Sequence, residues 1–216
     1  MMSDPIIGVL LAAGKSKRMG NNKLKLPLGE QTLGNITLKE AIKSSLDHLV
    51  VVTNKQDHLQ WISPFLLSPL LRDKWTQQTC KSAIKGQAYS IKCGVKKAMQ
   101  LQAKSIMILL ADQPFISKDI INKLIERYLH NENAYFIAAS FLNRIRPPIL
   151  FSHQMFPILM QLEGDIGARY ILGNEKWQEK GIIVPFEDPI PFLDVDTRED
   201  YEFAKNVWKS LKMTKC

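Results

Sequence analysis

Three stretches of this chain carry residues suited to chemistry on a phosphate. The first is Leu11-Ala12-Ala13-Gly14-Lys15-Ser16-Lys17-Arg18-Met19-Gly20, continued by Lys23-Leu24-Lys25-Leu26-Pro27. Ala12, Ala13 and Gly14 are small, so backbone N–H groups there can approach an anion closely. Lys15, Arg18 and Lys23 can neutralise a triphosphate, and five basic residues with no acid lie between Lys15 and Lys25. The second stretch is Leu110-Ala111-Asp112-Gln113-Pro114. A carboxylate at the end of an apolar run can hold Mg²⁺, which binds through one or two carboxylates plus substrate phosphates. The competing reading is a turn Asp bonded to its own backbone. The third is Asp194-Val195-Asp196-Thr197. If it is extended, its two carboxylates point to opposite sides, and one of them reaches a given metal. Thr197 and Asp200 also fit a helix capping box, which sets Asp196 beside the positive end of a helix.

Two common phosphate motifs are excluded. A Walker loop needs four residues between its first glycine and Gly-Lys-Ser, and Gly8 lies one residue too far from Gly14. Gly14 and Gly20 do not have the spacing of a dinucleotide-binding loop either. His48, His58, His130 and His153 show no metal-ligand spacing and read as surface or loop residues. Cys80, Cys93 and Cys216 form no CxxC, which argues against a disulfide framework or a thiolate metal site and for a reducing cytoplasm.

The elements that must position these groups read as alternating strands and helices. Unbroken apolar runs at Ile6–Leu11, Leu49–Thr53, Ser105–Ala111 and Tyr135–Ala139, with a weaker one at Ile182–Val184, suit strands buried on both faces. Ala88, Ile91, Val95 and Ala98 repeat as one helix face. Ile120, Ile121, Leu124, Ile125, Tyr128 and Leu129 do the same after a cap at Ser117. Tyr201, Ala204, Trp208 and Leu211 form the stripe of a last helix. This order predicts βαβ units in one α/β domain over 1–216, with a mainly parallel mixed sheet covered by helices on both faces. Ligands of such sheets sit at the C-terminal ends of the strands. The 216 residues, 45% of them hydrophobic and 23% charged, exclude a disordered tail, and no apolar stretch is long enough to span a membrane. The net charge of +8 suits a polyphosphate ligand or a solvated Lys-rich face; specific nucleic-acid binding is not expected. Charge is uneven, with Glu187 to Glu202 acidic.

The motifs resemble those of the molybdenum cofactor cytidylyltransferases, MobA-like nucleotidyltransferases of the nucleotide-diphospho-sugar transferase fold. That family reads LAAG, a basic pair, RMG and then KLLLP. Arg18-Met19-Gly20 and Lys23-Leu24-Lys25-Leu26-Pro27 match, with Lys25 in place of a Leu. The resemblance implies that Leu11, Ala12, Ala13, Gly14, Lys15, Lys23 and Asp112 bind the nucleotide, and that Arg18 and Lys23 act in catalysis. It makes Asp112 and Asp196 the Mg²⁺ ligands, Asp194 to Asp200 being similar to the terminal DxDTPED with Arg198 for Pro. Gly86-Gln87-Ala88-Tyr89-Ser90 with Gly94 resembles a helix start whose Gly and Ser lie near the base. An ordinary helix start using glycine for close packing is the alternative, above all for Gly94. Gly164-Asp165-Ile166-Gly167-Ala168-Arg169 matches GDxGAR. Asp165 then reads as an acceptor-site residue or as the cap of the following helix, and Arg169 as a ligand of the acceptor's phosphate. Arg144-Ile145-Arg146-Pro147-Pro148-Ile149-Leu150-Phe151 departs from the family's Gly-rich acceptor loop, with Arg146 standing in its region.

The activity this implies is Mg²⁺-dependent transfer of CMP from CTP to the phosphate of molybdenum cofactor. Pyrophosphate is released, and the product serves an apo-hydroxylase of the xanthine dehydrogenase type in purine catabolism. A guanylyltransferase for the same cofactor, a cytidylyltransferase for a sugar or alcohol phosphate, a DxD glycosyltransferase and a non-catalytic cofactor carrier are the alternatives. Pyrophosphate release separates a nucleotidyltransferase from a glycosyltransferase. Loss of Asp112 should leave a carrier's affinity largely intact.

Overall fold

The computed structural model describes residues 4–14, 19 and 22–213. In chain order the elements are β1 (Ile6–Leu11), β2 (Pro27–Leu28), β3 (Gln31–Thr32), α1 (Leu33–Lys43), β4 (His48–Thr53), α2 (Pro69–Arg72), β5 (Trp75–Thr79), α3 (Gln87–Gln100), β6 (Ser105–Leu110), α4 (Lys118–Leu129), β7 (Phe136–Phe141), β8 (Arg144–Ser152), α5 (Phe156–Leu159), α6 (Glu175–Gln178), β9 (Gly181–Pro185) and α7 (Arg198–Met213). Among the described residues the main sheet has seven strands in the order β5-β4-β1-β6-β8-β7-β9, and β2 and β3 form a small ribbon. Within the main sheet all neighbours pair in parallel except β8, which runs antiparallel to both β6 and β7.

Successive side chains on a strand face opposite ways, and both faces of this sheet are covered, so the central strands are apolar throughout. Leu10, Val51 and Leu109 face one cluster, completed by α1, α4 and Ala204 of α7. Val9, Val52 and Ile108 face the other, completed by α3, α5 and residues 168–172. Gly94 of α3 lies against Val9 and Val52, and a Cβ there would stand 2.2 Å from Val9 Cγ1, so this glycine serves close helix–sheet packing.

The five expected strands are present, with ends shifted by one or two residues. Two others break the apolar pattern. β5 is an edge strand whose Thr76, Gln77 and Gln78 are half-buried, so it has no apolar run. β8 begins with Arg144 and carries Pro147 and Pro148, residues that argue against a central strand. Its pairing with β7 passes from Ala138↔Ile149 to Ala139↔Arg146, and that bulge accommodates both prolines. On the helices, Leu129 and Leu211 are exposed, so the apolar stripes of α4 and α7 are narrower than their periodicity predicts.

The reading of the cysteines is corrected. Cys80, just after β5, and Cys93, on α3, are joined by a disulfide, with their Cα atoms 5.9 Å apart. Neither CxxC spacing nor cysteine count could reveal this, because parallel pairing of β5 and the packing of α3 create the proximity.

Candidate active site

β1 and β6 are neighbours and end together, which sets the first two motifs side by side. Beyond β1 the chain stays in register, Ala12 N donating to Val52 O at 2.8 Å. Ala12 and Ala13 are buried, and Ala13 shares the α3-side cluster with Ala83 and Ala88. Gly14 is exposed, and among the described residues no neighbouring atom lies where a side chain would go. Lys15 and Arg18 lie outside the described residues.

Lys23 opens a short 3-10 helix, Lys23–Lys25, capped by Asn22 Oδ1, which accepts from Leu24 N at 3.1 Å. Leu24 is buried against Gly34 and Trp61, and Leu33 N donates to Leu26 O at 2.9 Å. The Tyr201 hydroxyl of α7 donates to Pro27 O at 2.6 Å, which pins the far end of this segment. Lys23 is thereby held at 7% exposure. Its Nζ donates to Asp112 Oδ2 at 2.5 Å and to Asp196 Oδ1 at 2.7 Å. Burial pulls the Lys23 pKa down, but the Asp112 charge and the hydrogen bonds to both carboxylates outweigh it, so the net shift is upward. A buried ammonium is tolerable only when paired in this way.

Asp112 is fixed through its backbone. Ala111 N donates to Leu11 O, and Val195 N donates to Asp112 O at 3.0 Å. The buried Thr37 hydroxyl of α1 reaches the carbonyls of Ala111 at 3.3 Å and Gln113 at 3.1 Å. Gln113, 1% exposed, donates from Nε2 to Asp194 Oδ1 at 2.9 Å. Asp194 and Asp196 therefore diverge around buried Val195, as expected for an extended pair: one meets Gln113 and the other meets Lys23. Burial, then the charge of Asp112, raises the Asp194 pKa to about 6; Asp196 adds to the rise, while the Gln113 hydrogen bond and Arg146 oppose it. Arg146 thus acts electrostatically on the same site. Asp196 is oriented by the capping box: Asp200 Oδ2 accepts from Asp196 N at 3.1 Å and Thr197 N at 2.8 Å, while Asp200 N donates to Thr197 Oγ1 at 3.1 Å. Thr37, Gln113 and Tyr201 support the site, and the sequence reading gave them no such role. Gln113 and Thr37 are buried polar residues among apolar neighbours, a signal visible only once burial is known.

Two carboxylate oxygens meeting one nitrogen fit a divalent cation in charge and ligand chemistry. Among the described residues, no three His, Cys, Asp or Glu side chains are grouped to hold a metal, so these side chains would leave positions of such an ion open to water or to a ligand's oxygens.

The Gly86 and Asp165 motifs meet each other. Gly86 has φ +135°, and a Cβ there would stand 2.2 Å from Gly164 O. Gln87 N donates to Asp165 Oδ1 at 3.1 Å, and Ala88 N to Gly164 O at 3.2 Å. Asp165 therefore caps α3, 78 residues earlier, and not the following 3-10 helix, whose N-cap is Gly167. This corrects the cap assignment: Asp165 Oδ1 is engaged with the backbone at the start of α3. Ser90 is buried on the first turn of α3, and Arg169 is exposed on the helix Ala168–Gly173. His48 is half-buried on β4 and pairs with Thr76 Oγ1 at 2.8 Å; burial lowers its pKa. Cavities of about 490 Å³, beside Tyr135 and Gly181, and about 780 Å³, beside Pro5, Lys104 and Phe156, open at the N-terminal ends of strands, opposite the carboxylates.

A family model described as a MobA-like NTP transferase domain matches residues 8–180. The purine catabolism protein PucB of Bacillus subtilis (strain 168) is 42% identical over 207 residues, covering 95% of this chain and 98% of that protein. A pseudaminic acid cytidylyltransferase of Campylobacter jejuni (serotype O:2) is 22% identical over 228 residues, 93% of this chain and 95% of that one. Among solved structures, an Rv0371c homologue from Mycobacterium sp. strain JC1 has a TM-score of 0.76 at 27% identity, covering 95% of this chain and 98% of that one. A manganese complex of Rv0371c from Mycobacterium tuberculosis H37Rv has a TM-score of 0.71 at 20% identity, covering 94% and 98%, and shares the fold. The strand order, the motifs at the strand ends and these matches agree: the chain belongs to the MobA-like NTP transferase domain family, has the nucleotide-diphospho-sugar transferase fold and is a nucleotidyltransferase.

Proposed function

We propose that the enzyme, a single domain over 1–216, transfers CMP from CTP to the terminal phosphate of the pterin of molybdenum cofactor. The observation that carries the reading is the convergence of Asp112 Oδ2 and Asp196 Oδ1 on Lys23 Nζ at the ends of β1 and β6. An acceptor phosphate oxygen attacks the α-phosphorus in line, the bond to the β-phosphate oxygen breaks, and pyrophosphate leaves. Such chemistry depends on positioning and charge stabilisation, so no protein nucleophile is needed.

Leu11 to Lys15 line the triphosphate with backbone N–H groups and one ammonium. Arg18 and Lys23 stabilise the charge that builds on the leaving pyrophosphate. Asp112 and Asp196 are the ligands for Mg²⁺, which when bound neutralises triphosphate charge. Ala13, Gly86 and Ser90 border the base. Arg146 and Arg169 face the acceptor's anionic group, and the influence of Arg146 on Asp194 supports its place there. Cytidine specificity is supported by the LAAG run and by a cytidylyltransferase among the relatives. The name of the B. subtilis relative supports a purine hydroxylase of the xanthine dehydrogenase type as the client, and a cytoplasmic location follows from CTP as substrate.

The test is pyrophosphate release from each of the four NTPs in the presence of molybdopterin, a sugar phosphate or an alcohol phosphate. Release with CTP and the pterin alone is expected. A GTP preference would make the enzyme a guanylyltransferase, and release with a sugar phosphate instead of the pterin would reassign the acceptor.

A further inference from the structure

We propose that the Lys23 ammonium and a divalent cation are mutually exclusive partners of the Asp112–Asp196 pair, so that the metal binds together with the triphosphate and only feebly before it. This rests on the reading of Asp112 and Asp196 as metal ligands.

Three observations carry it. Asp112 Oδ2 and Asp196 Oδ1 are both directed at one nitrogen, at 2.5 and 2.7 Å, so the place where both oxygens could share a metal is the place Lys23 Nζ takes. Mg²⁺ sits about 2.0–2.1 Å from its oxygens, and a +2 ion that close to a +1 ammonium would meet strong repulsion in a partly buried site. Lys23 must therefore move before both carboxylates can close on a cation.

The second observation is the cost of that movement. Lys23 is 7% exposed, and its stem enters through a segment pinned by Leu24, Leu26 and Pro27. Leaving the carboxylates surrenders two charge-assisted contacts for a side chain that is itself buried, although Asp196 reaches solvent. A metal repels the displaced ammonium, whereas a triphosphate attracts it. Third, among the described residues no group of three candidate ligands stands ready, and Asp194 is turned toward Gln113. Among the described residues the protein supplies two carboxylates and the repulsion of Lys23. Phosphate oxygens add ligands for the metal and an anion for Lys23 in one step.

The test measures binding of Mn²⁺ alone, by electron paramagnetic resonance at fixed pH, to wild type, Lys23→Met and Asp112→Asn. Wild type should bind Mn²⁺ alone only in the millimolar range. Lys23→Met keeps the length of the stem and removes the charge, and should tighten Mn²⁺ binding at least about tenfold. A double variant with Asp112→Asn should lose that gain. Adding a non-hydrolysable CTP analogue should tighten Mn²⁺ binding to wild type by more than it does for Lys23→Met. Equal or weaker Mn²⁺ binding in Lys23→Met would overturn the proposal. So would micromolar binding of Mn²⁺ alone to wild type that disappears in Asp112→Asn, an outcome that needs no folded Lys23 variant. Tight, Asp112-dependent Mn²⁺ binding to Lys23→Met in an enzyme that releases no pyrophosphate from CTP would instead sink the cytidylyl reading and leave the exclusion intact.

Discussion

The amide of Val195 donates to the carbonyl of Asp112 at 3.0 Å, and through this one bond the loop before α7 takes its place from the end of β6. Asp112 is a strand-end residue, and Asp196 is one residue past Val195, so both carboxylates are fixed relative to a single backbone contact. The capping box then orients Asp196, and Thr37 braces the carbonyls on either side of Asp112. Rigid elements thus set the spacing, and the two acidic side chains inherit it.

Asp112→Asn should lower turnover by at least about 100-fold, because losing a carboxylate from a catalytic metal forfeits several kcal/mol of transition-state stabilisation. Lys23 would keep Asp196 as a partner, and the backbone contacts of residue 112 do not involve its side chain, so the fold should survive. Steady-state pyrophosphate release, with circular dichroism as the folding control, checks this. A folded variant with near-normal turnover removes Asp112 from the chemistry.

Asp194 supplies a pH prediction. Its carboxyl is raised from an ordinary 3.8 to about 6, first by burial and then by Asp112. Above pH 6 it is charged in the folded and unfolded chain alike, and only the folded chain bears the penalty. As pH falls from 6 toward 3.8, the folded form protonates first and the penalty is relieved. Asp194→Asn keeps the oxygen that accepts from Gln113 and deletes the charge. In the presence of EDTA it should stabilise the protein at pH 8 by on the order of 2 kcal/mol. The gain should shrink as pH falls through 6 and vanish below 3.8. Urea melts at pH 8 and pH 5 measure it, and an equal gain at both would mean that charge is not the cause.

The disulfide predicts a thiol count. Denatured without reductant, the chain should titrate one thiol out of three cysteines, and after reduction all three. Replacing Cys80 and Cys93 by Ser should cost about 3 kcal/mol, the loop-closure entropy for a loop of roughly this length. Three titratable thiols in freshly purified, denatured protein would show instead that the two side chains are neighbours without a bond.

What could be read from the sequence follows from how each feature is encoded. Strands β1, β4, β6 and β7 announce themselves because both faces are covered, and the carboxylates follow because chemistry in such sheets collects at strand ends. β8 was hidden because its first half carries two arginines and two prolines where a bulge relaxes the pairing rules. α1 was hidden because Gly34, Asn35 and Thr37 are poor helix formers, kept there for packing against Trp61 and for bracing the Asp112 loop. The contact between Lys23 and the two carboxylates joins positions 89 and 173 residues apart, and no local pattern encodes it. Asp165 caps a helix 78 residues earlier, which a sequence cannot display, because proximity along the chain is the only proximity it shows.

Base choice is the last prediction. Ala13 is buried on the α3 side of the sheet, with Ala83 and Ala88 in the same cluster and Gly86 to Ser90 opening the helix above. Under the proposed reading, a methyl there narrows the space beside the base and suits a pyrimidine. Glycine would remove the methyl and free the backbone to admit a purine's second ring. One methyl discriminates by only about 1–3 kcal/mol. Ala13→Gly should therefore relax the preference for CTP over GTP, lowering the ratio of their kcat/KM values by tenfold or more without reversing it. The remaining preference is expected to reside around Gly86 to Ser90, where Gly86 is pressed against the Gly164 carbonyl and leaves no room for the loop to shift inward. An unchanged ratio in Ala13→Gly would mean that this methyl packs the core and does not read the base.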